Sequence, residues 1–92
     1  MIATFRCADT RQLLEGRRIA RFVNIERVAL RKLEQLHTAQ VLDDMRAPPG
    51  NRLEALSGDR AGQWSVSINE QWRVCFRWSQ HGAEDVEIVD YH

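Results

Sequence analysis

The stretch Gln71–Trp78, which reads Gln-Trp-Arg-Val-Cys-Phe-Arg-Trp, decides the fold of this chain. Bulky apolar side chains alternate in it with two arginines and a cysteine, which is the period of two expected for a strand with one face in the core. Its aromatic and β-branched residues are those that strands favour, so composition and pattern agree. The pattern predicts a central strand whose core face carries Trp72, Val74, Phe76 and Trp78.

The opposite face of this strand carries Arg73 and Arg77, with Cys75 between them. On a central strand Arg73 would be held rigidly over the middle of the sheet, and a fixed guanidinium is suited to binding phosphate. The alternative is a solvated outer face on which each arginine pairs with Glu or Asp of a neighbouring strand. We keep this structural interpretation for Arg77, and the pattern alone leaves both open for Arg73.

Bulk composition predicts one small cytoplasmic domain, residues 1–92. A hydrophobic share of 43% and three tryptophans are enough for a real core. Cys7 and Cys75 lie far apart without metal-ligand spacing, so we expect reduced thiols, as is usual in the cytoplasm. The start, Met-Ile-Ala-Thr-Phe, looks like an edge strand and not a leader, and no apolar run approaches the length of a membrane span.

The charges balance overall but are unevenly distributed. A formal net charge of zero argues against nucleic-acid binding by bulk attraction. Residues 1–31 carry seven arginines and three acids, whereas residues 78–92 carry four acids and no Lys or Arg. Twelve of the thirteen basic residues are Arg, which suits bidentate contacts to phosphate or carboxylate. A GC-rich genome would produce the same bias, so this favours a phosphate ligand only weakly.

The first half of the chain predicts a short strand followed by helices. Residues Ile2–Arg6 alternate enough for a short strand, and Asp9 looks like the N-cap of a short helix that ends near Gly16. Asn24 looks like the N-cap of a longer helix that packs on the sheet. Its apolar residues recur at helical spacing: Ile25, Val28, Ala29, Leu33 and Leu36.

The second half predicts strands, after a break at Pro48-Pro49-Gly50. Arg52–Leu56 is expected to form a short strand, residues 57–62 a loop, and Trp64–Ile68 a half-buried strand with serines on its polar face. After the central strand, Val86–Asp90 forms the last one. The order βααββββ predicts an α+β fold, a small antiparallel β-sheet with two to three N-terminal helices packed on it.

Polar groups suited to catalysis cluster in this second half: Glu54, Ser57, Arg60, Arg73 and the ending Asp90-Tyr91-His92. No His or Cys pair has metal-ligand spacing, Ser57 lacks a nucleophile elbow, and no glycine-rich nucleotide loop is present. What remains is a set without metal or cofactor: a carboxylate, arginines, a Tyr and a His. Such groups can move two protons and stabilise an added negative charge, as cleavage of RNA by its own 2′-hydroxyl requires.

Three segments resemble the HigB toxins of the RelE/ParE superfamily. They are residues 51–65 (Asn-Arg-Leu-Glu-Ala-Leu-Ser-Gly-Asp-Arg-Ala-Gly-Gln-Trp-Ser), residues 68–76 (Ile-Asn-Glu-Gln-Trp-Arg-Val-Cys-Phe) and Asp90-Tyr91-His92. The resemblance covers essentially the whole chain in length and order, and is most specific in residues 51–78 and the last three. It implies a RelE-like sheet flanked by N-terminal helices, which agrees with the pattern of the residues.

In function, the resemblance implies a bacterial type II toxin, a small endoribonuclease that cuts mRNA in the ribosomal A site. It implies silencing by a helix-turn-helix antitoxin of the HigA kind. Operator DNA would be contacted only through that antitoxin, as the pair represses its own operon, and no membrane partner is expected.

The resemblance also implies roles for individual residues. Arg73 matches the arginine that stabilises the transition state, and Asp90, Tyr91 and His92 match the C-terminal catalytic and RNA-contacting residues. Glu54 resembles the glutamate that YoeB-type relatives use as general base. These five are the expected catalytic residues, and the expected RNA-binding residues are Arg52, Ser57 and Arg60.

One segment departs from the familiar HigB pattern Leu-His-Pro-Leu-Lys-Gly-Asp. Residues 53–59 read Leu-Glu-Ala-Leu-Ser-Gly-Asp, so the His and the Lys are both lost. Without Lys at Ser57 a positive charge beside the phosphate is missing, and we expect a weak toxin. The rival hypothesis is a non-catalytic protein that keeps the fold and binds the antitoxin in a repressor complex. Cleavage of free RNA is disfavoured by the zero net charge, because the ribosome would have to supply positioning.

Overall fold

Two α-helices precede a four-stranded antiparallel sheet in the structure, a computed structural model that describes residues 1–90. Helix α1 spans Ala8–Leu14 and α2 spans Glu26–Thr38. The strands are β1 (Glu54–Ala55), β2 (Trp64–Ser67), β3 (Trp72–Ser79) and β4 (Gly82–Asp90). Their order in the sheet is β1-β2-β3-β4, a meander with β3 between β2 and β4. The predicted α+β fold and its central strand are confirmed.

The core lies between the helices and one face of the sheet. Val74 of β3 pairs with Val66 of β2 and Ile88 of β4, and all three are buried. Helix α2 packs on these strands with residues at helical spacing, among them Ala29, Leu33 and Leu36. Burying a side chain such as Leu stabilises the fold by about 1.5–3 kcal/mol. The apolar stripe of α2 therefore covers one face of the sheet, and the opposite face is the one available for a binding or catalytic site.

The N-terminal segment runs beside β4 and does not form the full strand predicted for Ile2–Arg6. Ile2 and Phe5 make isolated parallel bridges with Ala83 and Val86 of β4. The Ile2 amide donates a hydrogen bond to Nδ1 of His37 at the end of α2, at 3.2 Å. This segment therefore shields the edge of β4 that would otherwise be open to another strand.

Both helices begin at residues other than the predicted caps. Cys7 occupies the N-cap position of α1, so Asp9 lies inside the first turn, where a carboxylate interacts favourably with the helix dipole. Ile25, and not Asn24, precedes α2. Cysteine and isoleucine are both poor capping residues, so packing of the apolar faces outweighs local capping preference at these two helix starts.

The connection from α2 to the sheet is made of short 3-10 turns, at Leu42–Arg46 and Pro49–Asn51. The strand predicted for Arg52–Leu56 shrinks to Glu54–Ala55, because Arg52 adopts the left-handed conformation (φ 47°, ψ 55°) that an extended strand cannot contain. A further 3-10 turn, Gly58–Arg60, lies in the predicted loop. Within residues 1–90, no helix has the length and apolar character needed to cross a bilayer.

Candidate active site

A row of side chains fixed by strand pairing crosses the face of the sheet opposite the helices. Glu54 of β1 pairs with Ser65 of β2, Ser65 with Cys75 of β3, and Cys75 with Glu87 of β4. Directly opposed residues on neighbouring strands point to the same side, so these four side chains share one face. Arg73 lies two residues before Cys75 and points the same way. The register therefore collects Glu54 and Arg73 on the outer face.

Arg73 is held at this face by oxygens of three different residues. Its Nε donates to Ser65 Oγ at 2.8 Å, and its Nη2 donates to the carbonyl oxygen of Arg52 at 2.9 Å. The same Nη2 lies 3.4 Å from Oε1 of Glu54. The Arg73 side chain is 12% exposed, whereas that of Glu54 is 53% exposed. Arg73 is therefore a fixed guanidinium, and Glu54 is the member of the pair that solvent and a ligand can reach.

Arg60 forms the second ion pair of this face. Its Nη1 lies 3.0 Å from Oε1 of Glu87 and also donates to the side-chain oxygen of Gln63, at 3.0 Å. The acidic partner of Arg60 is thus Glu87 of β4. Sequence reasoning missed Glu87, although its place between the apolar Val86 and Ile88 indicates an outer-face position.

The centre of the outer face is closed, contrary to the solvated face considered from the pattern. Cys75 and Ser65 are fully buried. Burial raises the pKa of the Cys75 thiol, and the charges of Arg60, Glu87 and Arg73 act on it as well. Since a thiolate is the nucleophilic form of cysteine, Cys75 is an inert thiol near neutral pH. Arg60 and Arg73 therefore lie beside a closely packed centre. A ligand can approach them from the edge of this face, which we call the rim.

Arg52 and Ser57 lie at this rim, and both are exposed. The Arg52 side chain helps line a cavity of about 200 Å³, together with Gly50, Ser67, Ile68, Asn69 and Glu70. Two of the lining residues are neighbours of Arg73, since Ser67 pairs with it across β2 and β3 and the Arg52 carbonyl accepts its hydrogen bond. Ser57 directly precedes the Gly58–Arg60 turn and accepts a hydrogen bond from the Arg60 amide through its carbonyl, at 3.2 Å.

Asp90, the C-terminal site residue that the structure describes, lies apart from this cluster. Asp90 pairs with Trp72, whose ring packs edge-to-face on Phe22 at 5.8 Å on the helix side of the sheet. Its carboxylate accepts a hydrogen bond from Gln71 Nε2, at 3.2 Å from each oxygen. The register thus puts Asp90 on the face opposite Arg73, and its catalytic role stays a prediction. Tyr91 and His92 lie outside the described residues.

The arrangement suits proton transfer next to a stabilised negative charge. An accessible carboxylate can accept a proton, and a guanidinium fixed beside it can stabilise charge that develops on a phosphate. Arg60 adds a second positive charge on the same face. In the described part of the chain, no group of three or more His, Cys, Asp or Glu is placed to hold a metal ion.

A family model agrees with this picture. The model, described as “RelE-like toxin of type II toxin-antitoxin system HigB”, matches residues 11–92. The matched range contains the C-terminal part of α1, all of α2, all four strands and every candidate site residue.

Curated relatives resemble shorter parts of the chain. A protein named Toxin HigB-1 from Vibrio cholerae is 47% identical over 55 residues, which are 60% of this chain and 58% of that protein. A protein named Endoribonuclease HigB from Proteus vulgaris is 37% identical over 41 residues, 45% of each chain. The chain thus spans about half of the length of these relatives.

Among solved structures, the YoeB/ParE toxin from Agrobacterium tumefaciens is similar over 99% of this chain and 96% of that one. The TM-score is 0.47 and the sequence identity 22%.

Proposed function

The chain belongs to the HigB-like toxins, the RelE-like toxins of type II toxin–antitoxin systems, and we propose that it is an endoribonuclease that cuts mRNA in the ribosomal A site. The observation that carries this proposal is the contact of 3.4 Å between Glu54 and Arg73 on the outer face of the sheet. A base and a fixed cation side by side are what attack of a 2′-hydroxyl on the adjacent phosphate needs.

In the proposed mechanism, Glu54 accepts the proton of the 2′-hydroxyl group. Its exposure supports this role, because a general base must come within hydrogen-bond reach of the substrate. Arg73, helped by Arg60, stabilises the charge that develops on the phosphorane. His92 protonates the leaving 5′-oxygen, and Tyr91 orients or stacks the substrate nucleotide. The products are a 2′,3′-cyclic phosphate and a 5′-hydroxyl, formed without a metal or cofactor.

RNA binding is assigned to the rim residues Arg52, Ser57 and Arg60. The cavity beside Arg73 supports this assignment, because single-stranded RNA is recognised by bases that splay out of the strand into such recesses. The net charge of zero gives the chain little bulk attraction for RNA. We therefore assign the positioning of the mRNA to the ribosome, and the cutting to the protein.

The proposed partner that silences the toxin is a helix-turn-helix, HigA-like antitoxin. Membership of a type II family implies an antitoxin encoded with the toxin. The two proteins together would repress their operon, and operator DNA would be contacted only through the antitoxin. The proposed location is the cytoplasm, where ribosomes and mRNA are found.

A second candidate function is a non-catalytic repressor partner with the same fold. The observation that favours it is Ser57, which stands at the exposed entry to the Gly58–Arg60 turn in place of the expected Lys. Loss of one cation weakens phosphate contacts, while the Glu54–Arg73 pair is kept. We therefore expect a weak nuclease and keep the repressor partner as the alternative.

Expression of the chain without an antitoxin separates the two functions. A nuclease arrests growth and leaves discrete mRNA cuts with 5′-hydroxyl ends, whereas a repressor partner leaves growth and mRNA intact. Arg73→Ala is the inactive control. Arg77→Ala is its matched partner, since Arg77 lies on the same strand and face but pairs with exposed Asp85, at 3.6 Å. Equal growth with the wild type and with Arg73→Ala would contradict the proposal.

A further inference from the structure

Two of the oxygens that hold Arg73 come from one short segment, residues 52–54, which ends at the first residue of β1. They are the carbonyl of Arg52, 2.9 Å from Nη2, and the carboxylate of Glu54, 3.4 Å from the same atom. Arg52 itself is in the left-handed region, with φ 47°. A non-glycine residue is uncommon there, and such residues persist when their surroundings hold them in place. The conformation turns the Arg52 carbonyl towards Arg73.

The residue that precedes Arg52 is the buried Asn51, whose amide side chain links four partners. Its Oδ1 accepts a hydrogen bond from the ammonium of Lys32 in α2. Its Nδ2 lies 3.1 Å from the side-chain oxygen of Gln35, also in α2. The same Nδ2 donates to the carbonyls of Met45 and Ala47, at 3.0 and 3.1 Å. Asn51 thus ties the segment before β1 to helix α2.

The energetics of burial make this link rigid. A buried polar group that loses its hydrogen-bond partner destabilises the fold, and a buried charge that loses its partner does so more strongly. Asn51 is fully buried and Lys32 nearly so. Burial lowers the pKa of Lys32, and the neighbouring charge of Arg31 lowers it further. The hydrogen bond to Asn51 Oδ1 therefore stabilises an ammonium group that its surroundings disfavour. Displacing Asn51 would therefore expose several unsatisfied groups at once.

We propose that Asn51 is a positioning residue for the nuclease site. It fixes Arg52 in the left-handed conformation, and the Arg52 carbonyl then holds the guanidinium of Arg73 at the angle that the reaction needs. Neither Asn51 nor the Arg52 backbone touches the reacting atoms in this account. The inference rests on the proposed function for its catalytic consequence, but the positioning itself can be measured without RNA.

A matched pair of substitutions at Arg52 tests the backbone effect. Arg52→Gly and Arg52→Val both remove the guanidinium, so any loss of RNA contact is shared. They differ in the backbone, because glycine adopts positive φ readily and a β-branched residue there is an outlier. We expect kcat on programmed ribosomes to be at least tenfold lower for Arg52→Val than for Arg52→Gly, with the same KM. Equal kcat values would overturn the proposal.

A second readout follows the Arg73 guanidinium directly by NMR. The Nε–H of Arg73 donates a hydrogen bond to Ser65 Oγ. The exposed Nε–H of Arg77 serves as the internal reference for the exchange rate. We expect Arg52→Val and Asn51→Asp to speed exchange of the Arg73 proton with water at least fivefold, while Arg77 is unchanged. Exchange at the wild-type rate in Arg52→Val would overturn the positioning role, even if the protein cleaves no RNA. Failure of the proposed function alone would leave this difference intact.

A double-mutant cycle separates positioning from general destabilisation. If Asn51 acts through Arg73, Asn51→Asp adds no further loss of kcat once Arg73 is alanine. Losses that add in full would show that Asn51 supports the fold and not the arginine, and would overturn the proposal. If Asn51→Asp does not fold, the Arg52 pair decides, since the Arg52 side chain is exposed and both variants keep the Asn51 contacts.

Discussion

Replacing Arg73 by alanine should cost the protein catalysis and stability together. The change removes two hydrogen bonds made by a charged group, to Ser65 Oγ and to the Arg52 carbonyl. Hydrogen bonds to charged groups contribute about 1.5–3 kcal/mol each. The contact with the half-exposed Glu54 adds at most about 1 kcal/mol, because solvent screens it. We expect a loss of about 3–7 kcal/mol in the free energy of unfolding, against roughly 5–15 kcal/mol for a whole domain.

The catalytic loss is larger in relative terms. A preorganised group that stabilises developing charge contributes about 10²–10³ in rate, so single-turnover cleavage on programmed ribosomes should slow by that factor. The rates must be measured at a temperature where urea denaturation shows the variant to be folded. Arg73→Lys keeps a charge but not the forked guanidinium, and should recover little of the rate.

Arg77→Ala is the control for both losses, because Arg77 forms an exposed ion pair with Asp85 on the same face. It should change the free energy of unfolding by less than about 1 kcal/mol and leave the rate of cleavage as it was. An Arg73→Ala protein as stable as the wild type would refute the assigned contacts. An Arg73→Ala protein that cleaves at the wild-type rate would remove Arg73 from the site.

Three further predictions concern the rim and the cysteines. Ser57→Lys should speed single-turnover cleavage several-fold, since it restores a cation where phosphate is expected, and an unchanged rate would mean that this turn does not meet the RNA. Burial raises the pKa of Cys7, but hydrogen bonds from Thr10 and Asp9 and the charge of Arg21 outweigh it and lower the pKa overall. Mass spectrometry should therefore find that iodoacetamide alkylates Cys7 at least 100-fold faster than buried Cys75, and comparable rates would contradict the burial of Cys75. Burial raises the pKa of the Cys75 thiol in the folded protein, so above pH 9.0 the unfolded chain loses the thiol proton before the folded chain does. The free energy of unfolding should therefore fall above this pH, by up to about 1.4 kcal/mol per pH unit. Urea denaturation of Cys75→Ala should lack this component, and identical pH profiles would contradict it.

The sequence predicted the fold because one strand has an unambiguous pattern. Alternation in Gln71–Trp78 identifies the core face, and the helical stripe of α2 can pack only there. Helix starts were predicted less well, since Asp9 and Asn24 have capping side chains but tertiary packing set the boundaries at Cys7 and Ile25. Such local preferences are worth about 1 kcal/mol, less than one well-buried side chain.

The sequence predicted that Glu54 and Arg73 belong to one cluster, but not the geometry of that cluster. Glu54 and Arg73 were expected together, and the register explains why they meet. The left-handed Arg52 could not be predicted, because nothing in the residue type favours that conformation. The pairing of Arg60 with Glu87 depends on the register of β3 and β4, which is interrupted by an irregularity between Cys75 and Arg77.

The position of Asp90 was readable from the sequence and was overlooked. Val86, Ile88 and Asp90 alternate along the last strand, so they share a face, and that face is the core side. Glu87 and Val89 alternate with them on the side of Arg73. The strand Val86–Asp90 was predicted from its residues, whereas the role of Asp90 came from the resemblance to the family, without regard to the face on which it lies.

The most direct test of the account is the chemistry of the RNA ends made by the purified protein on programmed ribosomes. The proposed mechanism produces one cut in the A-site codon, with a 2′,3′-cyclic phosphate upstream and a 5′-hydroxyl downstream. Glu54→Gln, which removes the proposed base and keeps the shape of the side chain, should slow this cut by about 10²–10⁴. Three results would contradict the proposed mechanism: intact mRNA at an excess of folded protein, ends that carry a 5′-phosphate, or a Glu54→Gln variant that cuts as fast as the wild type.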